Sequence, residues 1–170
     1  SSRLKEKAIA DVHGKPMLIR LTERLRQSQL ADEVIWCTST APGDDRLEEL
    51  AHDYGVTLFR GSPLNVMGRF ITIANQREAQ TIARVTGDNP LTDPYMLDTM
   101  FTAHEDAQSE YTYTDDLPVG TRAEVIDVCM LARLHNLLRD PDSSEYMTYM
   151  LRRPDLFRTL EVPAPQPVLN

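Results

Sequence analysis

Apolar residues recur at helical spacing after Pro16, at Met17, Leu18, Leu21 and Leu25. Pro16 suits the start of that helix, because its fixed φ is already helical and the N–H it lacks has no partner there. The continuous apolar run Val34-Ile35-Trp36-Cys37-Thr38 predicts a buried strand. A helix over 44–54 follows, with Leu47, Leu50, Ala51 and Tyr54 inward and Gly55 ending it. The same reading places a strand at 56–59, a helix marked by Val66, Phe70, Ile73 and Ala74, and a strand at 81–86. Asp93 is placed to cap a helix that starts at Pro94 and buries Leu97, Met100 and Phe101. Strands at 111–114 and 123–128, shorter helices near 131–138 and 145–151, and a strand around 157–162 complete the pattern.

Strands alternating with helices of this length indicate βαβ units, and hence an α/β fold built as a three-layer α/β/α sandwich with a mostly parallel sheet. A chain of 170 residues gives room for a single domain, 1–170. The tail Pro163-Ala164-Pro165-Gln166-Pro167 cannot enter a central strand and is expected to run over the surface. Most of the methionines fall at apolar helix positions and read as core filling.

Composition narrows the function classes. With 41% hydrophobic and 26% charged residues the chain is patterned as an ordinary globular protein. A formal charge of −8 disfavours nucleic acid and anionic membranes as main partners, so an anionic substrate would need a local basic pocket. Two cysteines, Cys37 and Cys129, lack metal-ligand spacing and read as buried free thiols, in keeping with a cytoplasmic location. The four histidines, His13, His52, His104 and His135, fall in separate elements and read as surface or helix-end residues.

Ligands of open α/β sheets bind beyond the carboxyl ends of the strands. There the segment Arg84-Val85-Thr86-Gly87-Asp88-Asn89-Pro90 breaks a strand at Gly87 and presents Asp88 before a Pro-stiffened turn. A carboxylate so placed can hold Mg²⁺ against a triphosphate. Taken alone, the commoner reading is an Asx-type turn in which Asp88 bonds the backbone. The opening Ser1-Ser2-Arg3-Leu4-Lys5-Glu6-Lys7, with Gly14-Lys15-Pro16 after it, offers small residues and two cations to a polyphosphate; by itself it reads as a solvated basic end.

These residues recur together in a known family. Ser2-Arg3-Leu4-x-x-Lys7, Gly14-Lys15-Pro16-Met17, Arg60-Gly61-Ser62, Arg84-x-Thr86-Gly87-Asp88-x-Pro90-Leu91-x-Asp93-Pro94 and Glu124-Val125 resemble, in order, the motifs of the cytidylyltransferases of the spore-coat-polysaccharide type. Those enzymes are related to the ones that make CMP-linked neuraminic acid and CMP-linked ketodeoxyoctulosonate. The resemblance implies a Rossmann-like nucleotide-diphospho-sugar transferase fold and transfer of CMP from CTP to a sugar or sugar acid, with release of pyrophosphate. It implies that Ser1, Ser2, Arg3 and Lys7 surround the triphosphate and that Asp88 binds the Mg²⁺ cofactor. It also points to Arg84, Asn89 and Glu124 as substrate-facing positions, although a structural role for Arg84 among its apolar strand neighbours stands beside that.

The resemblance allows a homodimer with an arm in 111–124. Departures from the family pattern are equally specific: Lys5-Glu6 replaces a Pro-Gly pair, Arg122 replaces an acidic residue, and Asn65 and Gly68 replace acidic residues before Arg69. The family's first strand and its C-terminal segment, with a second metal-binding Asp, are expected to be missing. A related nucleotidyltransferase with another base or acceptor, and a non-catalytic binding or scaffold domain, remain the alternatives.

Overall fold

Helix α1 (Met17–Leu25) buries Leu18, Ile19, Leu21, Thr22 and Leu25 along one stripe, as its spacing predicts. Pro16 proves to be its extended N-cap residue and not its first helical one. The computed structural model describes residues 7–138 and 147–164. Ahead of α1, a 3₁₀ turn at Lys7–Ile9 leads into a minimal hairpin of β1 (Asp11–Val12) and β2 (Lys15–Pro16). His13 and Gly14 both take positive φ at its turn, and Gly14 N donates to Asp11 Oδ1 at 3.1 Å.

Strand β3 (Ile35–Ser39) pairs in parallel with β4 (Thr57–Gly61) through the crossover helix α2 (Asp45–Asp53). Helix α3 (Val66–Gln76) then leads to β5 (Thr81–Arg84), and α4 (Pro94–Asp106) to β6 (Tyr111–Tyr113). Strand β7 (Glu124–Asp127), α5 (Val128–Leu137), α6 (Met147–Leu151) and β8 (Thr159–Glu161) follow. Asp93 caps α4 as anticipated, accepting from Tyr95 N at 3.0 Å. Residues 145 and 146 of the expected helix, and 165–167 of the Pro-rich tail, lie outside the described residues.

Strands β5, β7, β6 and β8 form one sheet in that order. Strand β6 runs parallel to β8, while β7 runs antiparallel to both β5 and β6. The sheet is therefore mixed, with β7 alone reversed. Alternation along β7 divides the interior: Ala123 and Val125 join a core with α1, α2 and α4, whereas Ile126 joins a second with α3, α5 and α6. Two helical layers on opposite faces of the strands make the three-layer sandwich.

Some local expectations need correction. Tyr54 stands just past the end of α2 and is 40% exposed rather than inward. Cys129 is exposed, because Val128, Met130, Leu131 and Leu134 occupy the buried stripe of α5 and turn its side chain out. Cys37 is partly buried. His104 is a helix-end residue in the last turn of α4, as one of the two readings has it, and is buried against Ser109 and Thr112. Met67, Met96, Met100 and Met130 are core residues as expected.

Candidate nucleotide-binding and catalytic site

The turn after β5 is built by the backbone. Asn89 N donates to Thr86 O at 3.0 Å, and Asn89 O in turn accepts from Thr92 N and Thr92 Oγ1. Thr92 is buried, and its carbonyl receives Arg24 Nε of α1 at 2.8 Å. The Asn89 side chain reaches across to the carbonyl of Arg122. A Cβ on Gly87 would stand 3.3 Å from Leu18 Cδ1, so glycine lets this turn lie against the first turn of α1. These braces leave Asp88 exposed, and its carboxylate makes no hydrogen bond or ion pair among the described residues. The Asx-turn alternative required a bond from that carboxylate to the backbone, and the turn closes without one.

Against the start of α1 packs the segment carrying Lys7. Ala10 N donates to Lys7 O, and Met17 N donates to Ala10 O at 2.9 Å, which fixes the 3₁₀ turn beside the helix while Lys7 stays exposed. Lys15 ion-pairs with Glu23 at 2.5 Å. Ser1, Ser2 and Arg3, expected around a triphosphate, lie outside the described residues.

Arg84 and Glu124 come together, though with each other: Arg84 Nη1 donates to Glu124 Oε2 at 2.5 Å, and Tyr111 Oη donates to Oε1 at 2.6 Å. Burial, reinforced by the Glu124 charge, raises the Tyr111 phenol far above its ordinary pKa, so it stays a proton donor.

Asp115 and Arg152, without a mark in the sequence pattern, and Arg122, noted there as a departure, extend this polar network. Arg152 stacks over Tyr113 at 4.2 Å and donates twice to Asp115, which also receives Arg122 Nη1 at 2.8 Å. Arg122 Nε donates to Leu117 O, folding 115–122 into a strap beside the Asn89 turn. Arg122, expected to depart from the family pattern, is thus paired with Asp115. The hydrogen bonds of Asp115 to Arg152 hold its carboxyl below the usual carboxylate range. Arg60, part of a motif by resemblance, is committed to Asp45 at 2.6 Å and Glu48 at 2.5 Å, and ties the end of β4 to α2. Its neighbour Asp44 accepts from Thr38 Oγ1 and from Ser39 N and Oγ, which lower its pKa against the opposing effect of burial.

A carboxylate unengaged among the described residues on a braced turn beyond one strand, with the turn carrying Lys7 at the start of the neighbouring helix, is an arrangement suited to phosphate chemistry. A profile of the cytidylyltransferase family matches residues 1–160. The chain belongs to the cytidylyltransferase family.

Among its relatives, the spore coat polysaccharide biosynthesis protein SpsF of Bacillus subtilis (strain 168) is 33% identical over 172 residues, covering 98% of this chain and 72% of that protein. A cytidylyltransferase from Leptospira borgpetersenii serovar Hardjo-bovis (strain JB197) superposes with a TM-score of 0.86 at 27% identity, over 98% of this chain and 72% of that one. The structure of CMP:2-keto-3-deoxy-manno-octonic acid synthetase complexed with CTP gives a TM-score of 0.74 at 18% identity, over 96% and 86% of the two chains. The chain shares their nucleotide-diphospho-sugar transferase fold. Among its described residues, no helix is long and apolar enough to cross a membrane.

Proposed function

We propose that this cytidylyltransferase joins CMP from CTP to the hydroxyl of a sugar or sugar acid, in the cytoplasm, for surface polysaccharide or glycan synthesis. The acceptor oxygen attacks the α-phosphorus, the bond to the β-phosphate breaks, pyrophosphate leaves, and the hydroxyl proton passes to solvent. Such a reaction depends on positioning and charge neutralisation more than on covalent help from the protein. The observation that carries the reading is the Asp88 turn, in which Thr86, Asn89 and Thr92 are tied by hydrogen bonds while the exposed Asp88 carboxylate is unengaged among the described residues.

In this reading Ser1, Ser2, Arg3 and Lys7 hold the triphosphate. Asn89 braces the turn through Arg122 O, and the Arg84–Glu124–Tyr111 set forms a rigid wall beside the acceptor. A Mg²⁺ ion takes one or two carboxylates and completes its shell with waters and substrate phosphates. Asp88 fits that role, whereas the described residues contain no group of three or more His, Cys, Asp or Glu side chains able to form an all-protein cage. When bound, the ion would neutralise charge that develops on the phosphates.

The test is pyrophosphate release from CTP with Mg²⁺ and a panel of sugar acids and sugars, comparing the wild type with Asp88→Asn. Release that needs an acceptor and falls at least about a hundredfold in the variant supports transfer. Nucleotide binding without turnover over the whole panel points instead to the scaffold alternative, and release from another nucleotide triphosphate reassigns the base.

A further inference from the structure

Arg69 lies in the first turn of α3, at the carboxyl end of β4. Its stem crosses Gly61, where a Cβ would stand 2.8 Å from Arg69 Cγ, so the arginine can lie there only because residue 61 has no side chain. Its Nε is shut off from solvent and has no hydrogen-bond partner among the described residues. No acidic residue occupies the first turn of α3. The side chain of Asn65 is already engaged: its Oδ1 accepts from Gly68 N at 2.7 Å, and its amide meets His135 Nε2.

Other arginines of the described chain show that carboxylates are not scarce. Arg60 has Asp45 and Glu48, Arg84 has Glu124, Arg133 has Glu110 and Arg152 has Asp115. Acidic side chains outnumber basic ones, 26 to 18. A guanidinium set apart from them, with a buried N–H left unpaired, carries a desolvation cost that an incoming oxyanion would relieve. Its fork of donors matches carboxylate and phosphate alike. The Arg69 charge also reaches the Cys37 thiol on β3 and opposes the rise in pKa that burial causes there.

We propose that Arg69 receives an oxyanion of the reactants, either a phosphate of the nucleotide or the carboxylate of a sugar-acid acceptor, at the carboxyl end of β4. This assignment rests on the nucleotidyl-transfer reading and deepens it, since it requires a negative group of the reactants at the carboxyl end of β4.

The test is an NMR titration of the ¹⁵N-labelled full chain, following the Arg69 Nε–H resonance at pH 7. The probes are sodium pyrophosphate, CTP and 2-keto-3-deoxy-manno-octonate. A saturable shift of that resonance with pyrophosphate and CTP identifies the phosphate source, and a shift with the sugar acid alone identifies the carboxylate. In either case Arg69→Lys, which keeps the charge and loses the fork, should weaken that probe about tenfold. The wild-type titration is decisive even where a variant folds poorly. If all three probes at saturation leave the Arg69 resonance in place, the inference is overturned; CTP binding elsewhere in that titration would leave the transfer reading standing. A pyrophosphate-induced shift in a protein that transfers no CMP would uphold the anion site and overturn the transfer reading.

Discussion

Arg84 and Glu124 are direct cross-strand partners on β5 and β7, and their side chains close on each other at 2.5 Å. Glu124 is 8% exposed and also accepts from Tyr111, so two donors meet on one sequestered carboxylate. Removing a buried ion-pair partner typically costs about 3 kcal/mol or more, because the remaining groups stay desolvated. Glu124→Ala should therefore lower stability by about 3 kcal/mol in urea unfolding, whereas Asp88→Ala, whose carboxylate is exposed, should change it by less than about 0.5 kcal/mol. A loss below about 1 kcal/mol for Glu124→Ala would show that the pair is not a structural wall.

Trp36 Nε1 donates to Thr22 Oγ1 at 2.8 Å, and that hydroxyl donates in turn to Leu18 O. Thr22→Val keeps the volume and strands the indole N–H in the core. A stability loss of about 2 kcal/mol is expected, read by chemical denaturation followed through Trp36 fluorescence. No measurable loss would mean that the indole finds another acceptor.

His104 is buried beside Ser109 and Thr112, and burial pushes its pKa below the ordinary 6.5 although Asp127 opposes the shift. Below pH 6.5 the unfolded chain binds a proton that the folded chain refuses. The stability contributed by neutral His104 is thus fully present above pH 6.5 and is lost as pH falls toward the depressed folded value. The urea midpoint should drop over that interval, and His104→Gln should flatten the slope. Asp44, Asp98 and Glu110 have folded pKa values lowered from 3.8, 3.8 and 4.5, so their contributions are present above those values and are lost as pH falls through the lowered ones.

Burial raises the Cys37 thiol to about 11, while Cys129 is exposed. Iodoacetamide at pH 8 should label Cys129 in the native protein and Cys37 only after unfolding. Equal native labelling of both would contradict the burial of Cys37 on β3.

The elements most legible in the sequence are those whose burial follows a local period. The stripe Leu18-Leu21-Leu25 and the Asp93 cap occur where spacing and side-chain chemistry put them. The direction of β7 was not legible, because a two-residue alternation reads the same whichever way the strand runs. Arg84 and Glu124 each drew notice, but their pairing over 40 residues depends on register. Asp115 and Arg152, 37 residues apart, gave no signal at all for the same reason. At Arg69 the sequence shows only that Asn65 and Gly68 are not acidic; that its Nε is buried without a partner among the described residues depends on the fold.

If the Asp88 turn and the Lys7 loop together form a CTP site, calorimetric titration of CTP, with ATP, GTP and UTP alongside, will show it most directly. Selective CTP binding that Mg²⁺ strengthens is the expected result, with a loss of that strengthening in Asp88→Ala without a loss of fold. CTP binding of equal affinity with and without Mg²⁺, unchanged by Asp88→Ala, or no nucleotide binding at all, would contradict such a site.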